Sequence, residues 1–96
     1  MTRALKFRPA ARRNVKRLAV FLGEAPESIA DALIRKLENE TDRLRRTPFI
    51  GRPLRDTPLR EWITRYGRSA YVIRYTVSDK AVTIVRLWHG KENRPR

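Results

Sequence analysis

The 96-residue sequence predicts an α+β domain, a two-helix antiparallel hairpin packed on an antiparallel sheet. Three features point there. A short alternating run comes first, two stretches with helical apolar spacing follow, and three β-rich runs joined by tight turns form a C-terminal meander. A chain this short holds one core, so residues 1–96 are expected to form a single domain.

Arg3 to Arg8 (RALKFR) sets Leu5 and Phe7 against Ala4, Lys6 and Arg8, the period of a strand that ends at Pro9. Pro9 suits the first turn of a helix, where its missing N–H has no partner to lose. Val15, Leu18, Ala19 and Leu22 then recur at i, i+3, i+4 and i+7, an amphipathic stripe stopped at Gly23. Arg12, Arg13, Lys16 and Arg17 fall largely off that stripe. Pro26 and Glu27 open a second helix, its stripe running through Ile29, Leu33, Leu37 and Leu44 with Ala30, Ile34 and Thr41 beside it. Arg43, Arg45 and Arg46 complement the dipole in its last turn, and Pro48 ends it. The link between the helices is short, which makes them neighbours in a hairpin.

Thr47 to Pro58 (TPFIGRPLRDTP) carries three prolines and a glycine and reads as a loop. Its length is of the kind that often serves function or a partner. Strands are expected at Leu59–Tyr66, Ala70–Val77 and Ala81–His89, turned at Gly67-Arg68-Ser69 and Ser78-Asp79-Lys80. Both faces of the last two are partly apolar, so that sheet is expected to be covered on both sides, on one of them by a partner.

Basic residues outnumber acidic ones 23 to 10, a net charge of +13. The excess is spread evenly, with 12 basic against 6 acidic residues in 1–48 and 11 against 4 in 49–96. A basic surface of this kind suits nucleic acid, an anionic protein or a membrane face. With no cysteine and one histidine, disulfides and thiolate sites are excluded and a histidine-based zinc site is implausible, so no metal or cofactor is expected. No apolar run reaches the roughly 20 residues that span a bilayer, and the first residues lack the apolar core of a signal peptide. A cytoplasmic protein is expected.

Several local motifs go further. Pro9-Ala10 resembles an SPxA start, with Arg8 in place of the serine, and Leu44–Pro53 (LRRTPFIGRP) resembles an "L..P..G.P" linker. Leu59-Arg60-Glu61-Trp62 resembles an "hRxL" segment, Tyr71–Tyr75 a "YxIxY" strand, and Val85–Gly90 a closing "hRVxHGRR" segment. In this order and spacing they resemble the RelE/ParE toxin superfamily, more closely its ParE and plasmid-stabilisation branch. The resemblance implies the toxin of a type II toxin–antitoxin module, neutralised in a hetero-oligomer by a cognate antitoxin, ParD-like or similar, with an acidic C-terminal segment. It implies a ParE-like inhibitor of DNA gyrase that is not an enzyme. The alternative is a RelE-like, metal-independent mRNA interferase that acts on the ribosome.

Metal-free RNA cleavage needs a base for the 2′-hydroxyl, cations for the phosphorane and an acid for the 5′-oxygen. The candidates are Arg60, Arg65, Arg74, Arg86, His89 and Lys91. Arg86 and His89, three apart on one strand, point to opposite faces unless the strand bends. Arg74 shares a face with Val72 and Thr76, leaving Tyr71, Ile73 and Tyr75 on the other. Strand register decides whether these groups meet. For antitoxin or target binding the candidates are Arg12, Arg13, Lys16, Arg17, Trp62, Arg65, Arg74 and Trp88. Plainer roles compete with these. His89 suits a strand end bonded to backbone, Arg86 an ion pair with a carboxylate such as Glu61, the tryptophans a core, and the basic helix run a solvated face.

Overall fold

The computed structural model describes residues 3–21, 27–92 and 94. Strand β1 (Ala4–Phe7) leads into helices α1 (Pro9–Phe21) and α2 (Glu27–Arg46), followed by a 3-10 turn at Pro48–Ile50. Then come β2 (Arg52–Pro53), β3 (Leu59–Tyr66), β4 (Ser69–Val77) and β5 (Ala81–His89), in a sheet ordered β1-β5-β4-β3-β2. The expected stop at Gly23, the opening at Pro26 and the link between the helices lie outside the described residues.

The α+β architecture holds, with two refinements. The sheet is mixed, because β1 runs parallel to β5 while every other pairing is antiparallel. That register sets Leu5 beside Val82 and Phe7 beside Ile84, so the apolar side of β1 joins the same core. A strand's own alternation records its faces and carries no trace of its neighbour's direction. The linker also supplies a two-residue strand, with Arg52 opposite Glu61 and Pro53 opposite Arg60. Pro53 is tolerated there because β2 is a sheet edge.

One sheet face carries the helices. Ala11 and Leu18 of α1, and Leu37 and Leu44 of α2, are buried against Tyr71, Ile73, Tyr75, Val82, Ile84 and Leu87. Burying each large apolar side chain contributes about 1.5–3 kcal/mol before the entropy of ordering it. Beyond the end of β1 the flank of β5 is covered by α1, where Asn14 Oδ1 accepts from the Leu87 N–H at 3.0 Å. That bond satisfies an edge donor that would otherwise invite another strand. Gly67, at φ +61°, makes the tight β3–β4 turn in a conformation that glycine adopts without strain.

Between Arg74 and Tyr75 the β4–β5 register shifts, so Arg74 faces Arg86 while Tyr75 faces Ile84. Val85 is the extra residue of that bulge. Because the irregularity precedes Arg86, Arg86 and His89 keep the strand's ordinary alternation and point to opposite faces.

Candidate functional site

The linker is fastened from beneath by Tyr75. Its hydroxyl donates to the Pro48 carbonyl at 2.6 Å and accepts from the Gly51 N–H at 2.9 Å. A Cβ on Gly51 would sit 2.2 Å from that oxygen, so only glycine lets the phenol approach. Burial raises the Tyr75 pKa, against the opposing pull of the Gly51 hydrogen bond and the Arg60 charge. Arg60 donates to the carbonyls of Gly51 at 2.7 Å and Phe49 at 3.3 Å and lies over the Phe49 ring. Thus the linker glycine, Arg60 and the last tyrosine of the "YxIxY" strand are parts of one clamp.

On the opposite face stands a cage around Glu61, which is only 5% exposed. Arg74, directly across from it in register, donates through Nε at 3.0 Å and Nη2 at 2.6 Å. Arg94 adds contacts at 3.2 and 3.4 Å, and Arg52 reaches the same carboxylate at 3.5 Å. Burial raises the Glu61 pKa, but hydrogen bonds and charge from Arg74 and Arg94 overcome it and hold the group below 4.5. The carboxylate pairs with Arg74, not with Arg86, because Arg86 stands one strand farther along the same row. Arg74 also lies 4.7 Å above the Trp88 ring. Val72 and Trp88 lie on the face expected to be covered by a partner, yet both are buried within the chain itself; among the described residues Ile63, at 55%, is the large apolar side chain exposed on this face.

His89 sits on the helix-facing side, edge-on to Tyr71 at 5.3 Å. Its Nδ1 accepts from the Lys91 N–H at 3.1 Å, and its own N–H donates to Glu92 Oε1 at 3.0 Å. Glu92 in turn pairs with Arg17 of α1. Burial raises the Glu92 pKa, and its bonds to Arg17 and the His89 backbone outweigh that to bring it below 4.5. Lys91 and Arg86 are exposed.

The proposed nuclease set is thus divided. Arg60 and His89 lie on the helix-facing side, Arg74 and Arg86 on the other, and Arg60 and Arg74 are each bonded to groups of this chain. Trp62 packs on the core, donating Nε1–H to Glu40 at 2.9 Å with Arg43 over its ring. Glu40 is raised by burial yet lies below 4.5 overall, through Trp62, Lys36 and Arg43. Arg65 is exposed at the far end of β3. Arg12, Arg13 and Lys16 are exposed on α1, and Arg12 and Lys16 rim a cleft of about 470 Å³ lined by Phe7, Val15, Leu37 and Glu38. Among the described residues there is no cluster of acidic, histidine or cysteine side chains suited to a metal. Arg52 and Arg94 of the Glu61 cage were not legible as site residues, since loop and tail positions carry no periodicity.

A family model described as the ParE toxin of the type II toxin–antitoxin system parDE matches residues 5–94. The chain is 40% identical over 84 residues to Toxin RelE1 of Caulobacter vibrioides, covering 88% of this chain and 89% of that one. It is 29% identical over 92 residues to Toxin RelE3 of the same organism, covering 96% and 99%. Its fold is similar to a chain of the chromosomal ParDE system of P. aeruginosa, at TM-score 0.69, 18% identity and coverage of 90% and 94%. It is also similar to a chain of the toxin–antitoxin complex RelBE2 of Mycobacterium tuberculosis, at TM-score 0.58, 24% identity and coverage of 93% and 99%.

Proposed function

The chain belongs to the ParE toxin family of type II toxin–antitoxin systems, and on that premise we propose that it acts by binding, as a non-enzymatic inhibitor of DNA gyrase. One observation carries the binding-only mode: the cations a metal-free nuclease would use are split between two sheet faces. A phosphorane is stabilised only by donors preorganised around the same oxygens. Arg60 is engaged by linker carbonyls and Arg74 by a buried carboxylate, so each already has an anionic or dipolar partner.

Neutralisation falls to a cognate antitoxin. The cleft of Phe7, Val15 and Leu37, rimmed by Arg12 and Lys16, suits an amphipathic segment with apolar residues inward and acidic residues at the rim. No helix among the described residues is long and apolar enough to cross a membrane, and the toxin is taken to work in the cytoplasm.

The test is a supercoiling assay with purified toxin and gyrase. Inhibition that rises with toxin and is relieved by stoichiometric antitoxin is expected; undisturbed supercoiling at saturating toxin overturns the gyrase target. A second reading, a RelE-like ribosome-dependent endoribonuclease, draws on the RelE names of the two curated relatives and on the exposed Arg86 and Lys91.

A further inference from the structure

Phe49 and Ile50, adjacent on the 3-10 turn, are 61% and 38% exposed. Being adjacent, they make a small contiguous apolar patch of the kind a partner can cover. These two are also held rigidly. The Tyr75 hydroxyl binds Pro48 and Gly51 on either side of them, and Arg60 holds the carbonyls of Phe49 and Gly51. The guanidinium carbons of Arg3 and Arg60 lie 5.6 and 5.0 Å from the centre of the Phe49 ring. Arg3 is itself fixed by donating to the Ser78 carbonyl at 2.8 Å. Arg46, Arg52 and Arg55 set exposed guanidinium groups before and after the turn, each within 4.0 Å of a carboxylate of this chain, Asp42, Glu61 and Asp56 respectively.

We infer that Phe49 and Ile50 are the anchor by which this toxin seats on its protein target, filling an apolar socket rimmed by carboxylates. The inference rests on the binding-only reading above and adds the surface that does the binding. Binding hot spots cluster near the centre of a contact and are rich in aromatic side chains, and a preorganised one loses little entropy when it docks. The surrounding arginines select an acidic rim by charge complementarity and speed encounter. A nucleic acid fits less well. Ile50 has no flat face for a base, and the Phe49 ring already has the Arg3 and Arg60 guanidinium groups within cation–π range. The antitoxin seat proposed above, the cleft of Phe7, Val15 and Leu37, is built from other elements.

The experiment compares wild type with Phe49→Ala/Ile50→Ser, Ile50→Asp and Ile50→Lys in the gyrase supercoiling assay. Thermal melting and affinity for the cognate antitoxin are measured alongside. The double variant should need about 30-fold more protein for half-inhibition, the loss expected of a hot-spot pair. Melting and antitoxin affinity should stay at wild-type values. Ile50→Asp should lose more inhibition than Ile50→Lys, because only the aspartate meets a rim of like charge; a merely structural turn would treat both alike. Unchanged half-inhibition in the double variant overturns the inference. So does an equal loss of antitoxin affinity, which would make the turn the antitoxin's seat. Competition by a short oligonucleotide for the wild-type turn overturns it in favour of a nucleic acid. Wild-type toxin without effect on gyrase removes the target reading itself, and the inference with it.

Discussion

The two faces of the sheet use arginine for opposite purposes. On the helix-facing side Arg60 ties down two linker carbonyls and lies over Phe49, with no carboxylate bonded to it among the described residues. On the other side Arg74, Arg94 and Arg52 converge on one carboxylate, Glu61, with Arg74 also over Trp88. The first arrangement shapes a loop and leaves its apolar tip exposed. The second neutralises a buried charge and closes an apolar surface. Motif residues in a small toxin can thus be occupied with holding the fold, while the surface proposed above to bind the target consists of what they hold up.

The largest effect is expected from breaking the Glu61 cage. Arg74→Ala removes the shortest partner of a buried carboxylate and should destabilise the protein by about 3 kcal/mol, the lower end for a broken buried pair because Arg94 and Arg52 remain. Urea denaturation measures it. Breaking the clamp comes next. Gly51→Ala forces a Cβ into the Tyr75 hydroxyl and should cost about 1–3 kcal/mol. Tyr75→Phe should cost about the same by leaving the Gly51 N–H and the Pro48 carbonyl without their partner. The new Cβ would meet the hydroxyl first but also two ring carbons at 2.7 and 2.8 Å that phenylalanine keeps, so the double variant should fall only partly short of the sum in the same denaturation series.

The Glu61 ion pairs also make stability depend on pH, as those of Glu40 and Glu92, likewise lowered, do elsewhere in the fold. Glu61 has a folded pKa below its ordinary 4.5, so its ion pairs stabilise fully above that value and are lost as pH falls through the lower folded pKa. Glu61→Gln should therefore be less stable than wild type at pH 7, with the gap narrowing steadily below about pH 4.5. Parallel denaturation curves from pH 7 to 3 check this, and a constant gap would contradict the assigned ion pairs. The smallest effect on stability belongs to the cleft rim. Arg12→Glu with Lys16→Glu should leave melting unchanged, since both side chains are exposed, and weaken antitoxin binding roughly tenfold or more. Calorimetric titration with the antitoxin reads that outcome.

Much of this was legible in the sequence. The alternation in Leu59–Tyr66 and Ala81–His89 gives both strands to the residue, and the split of Tyr71, Ile73 and Tyr75 from Val72 and Arg74 is the observed one. Helical spacing likewise places Leu18, Leu37 and Leu44 in the core. What escaped the sequence is what depends on pairing. Sequence alone offers Glu61 as a carboxylate for Arg86, but register sets it against Arg74, and a period of two carries no information about register. The parallel placement of β1, the two-residue β2 and the bulge at Val85 escaped for the same reason. The linker motif was visible as a motif; its cause, the approach of Tyr75 to Gly51 across 24 residues, needed the fold.

The most direct test of binding without catalysis is to incubate purified toxin with ribosomes carrying a defined mRNA and map every new 5′ end. With Arg60 and Arg74 on opposite faces and each bonded within the chain, the account predicts intact message at stoichiometric toxin. New ends at a fixed codon position, abolished by Arg86→Ala with His89→Gln while the fold persists, would contradict it.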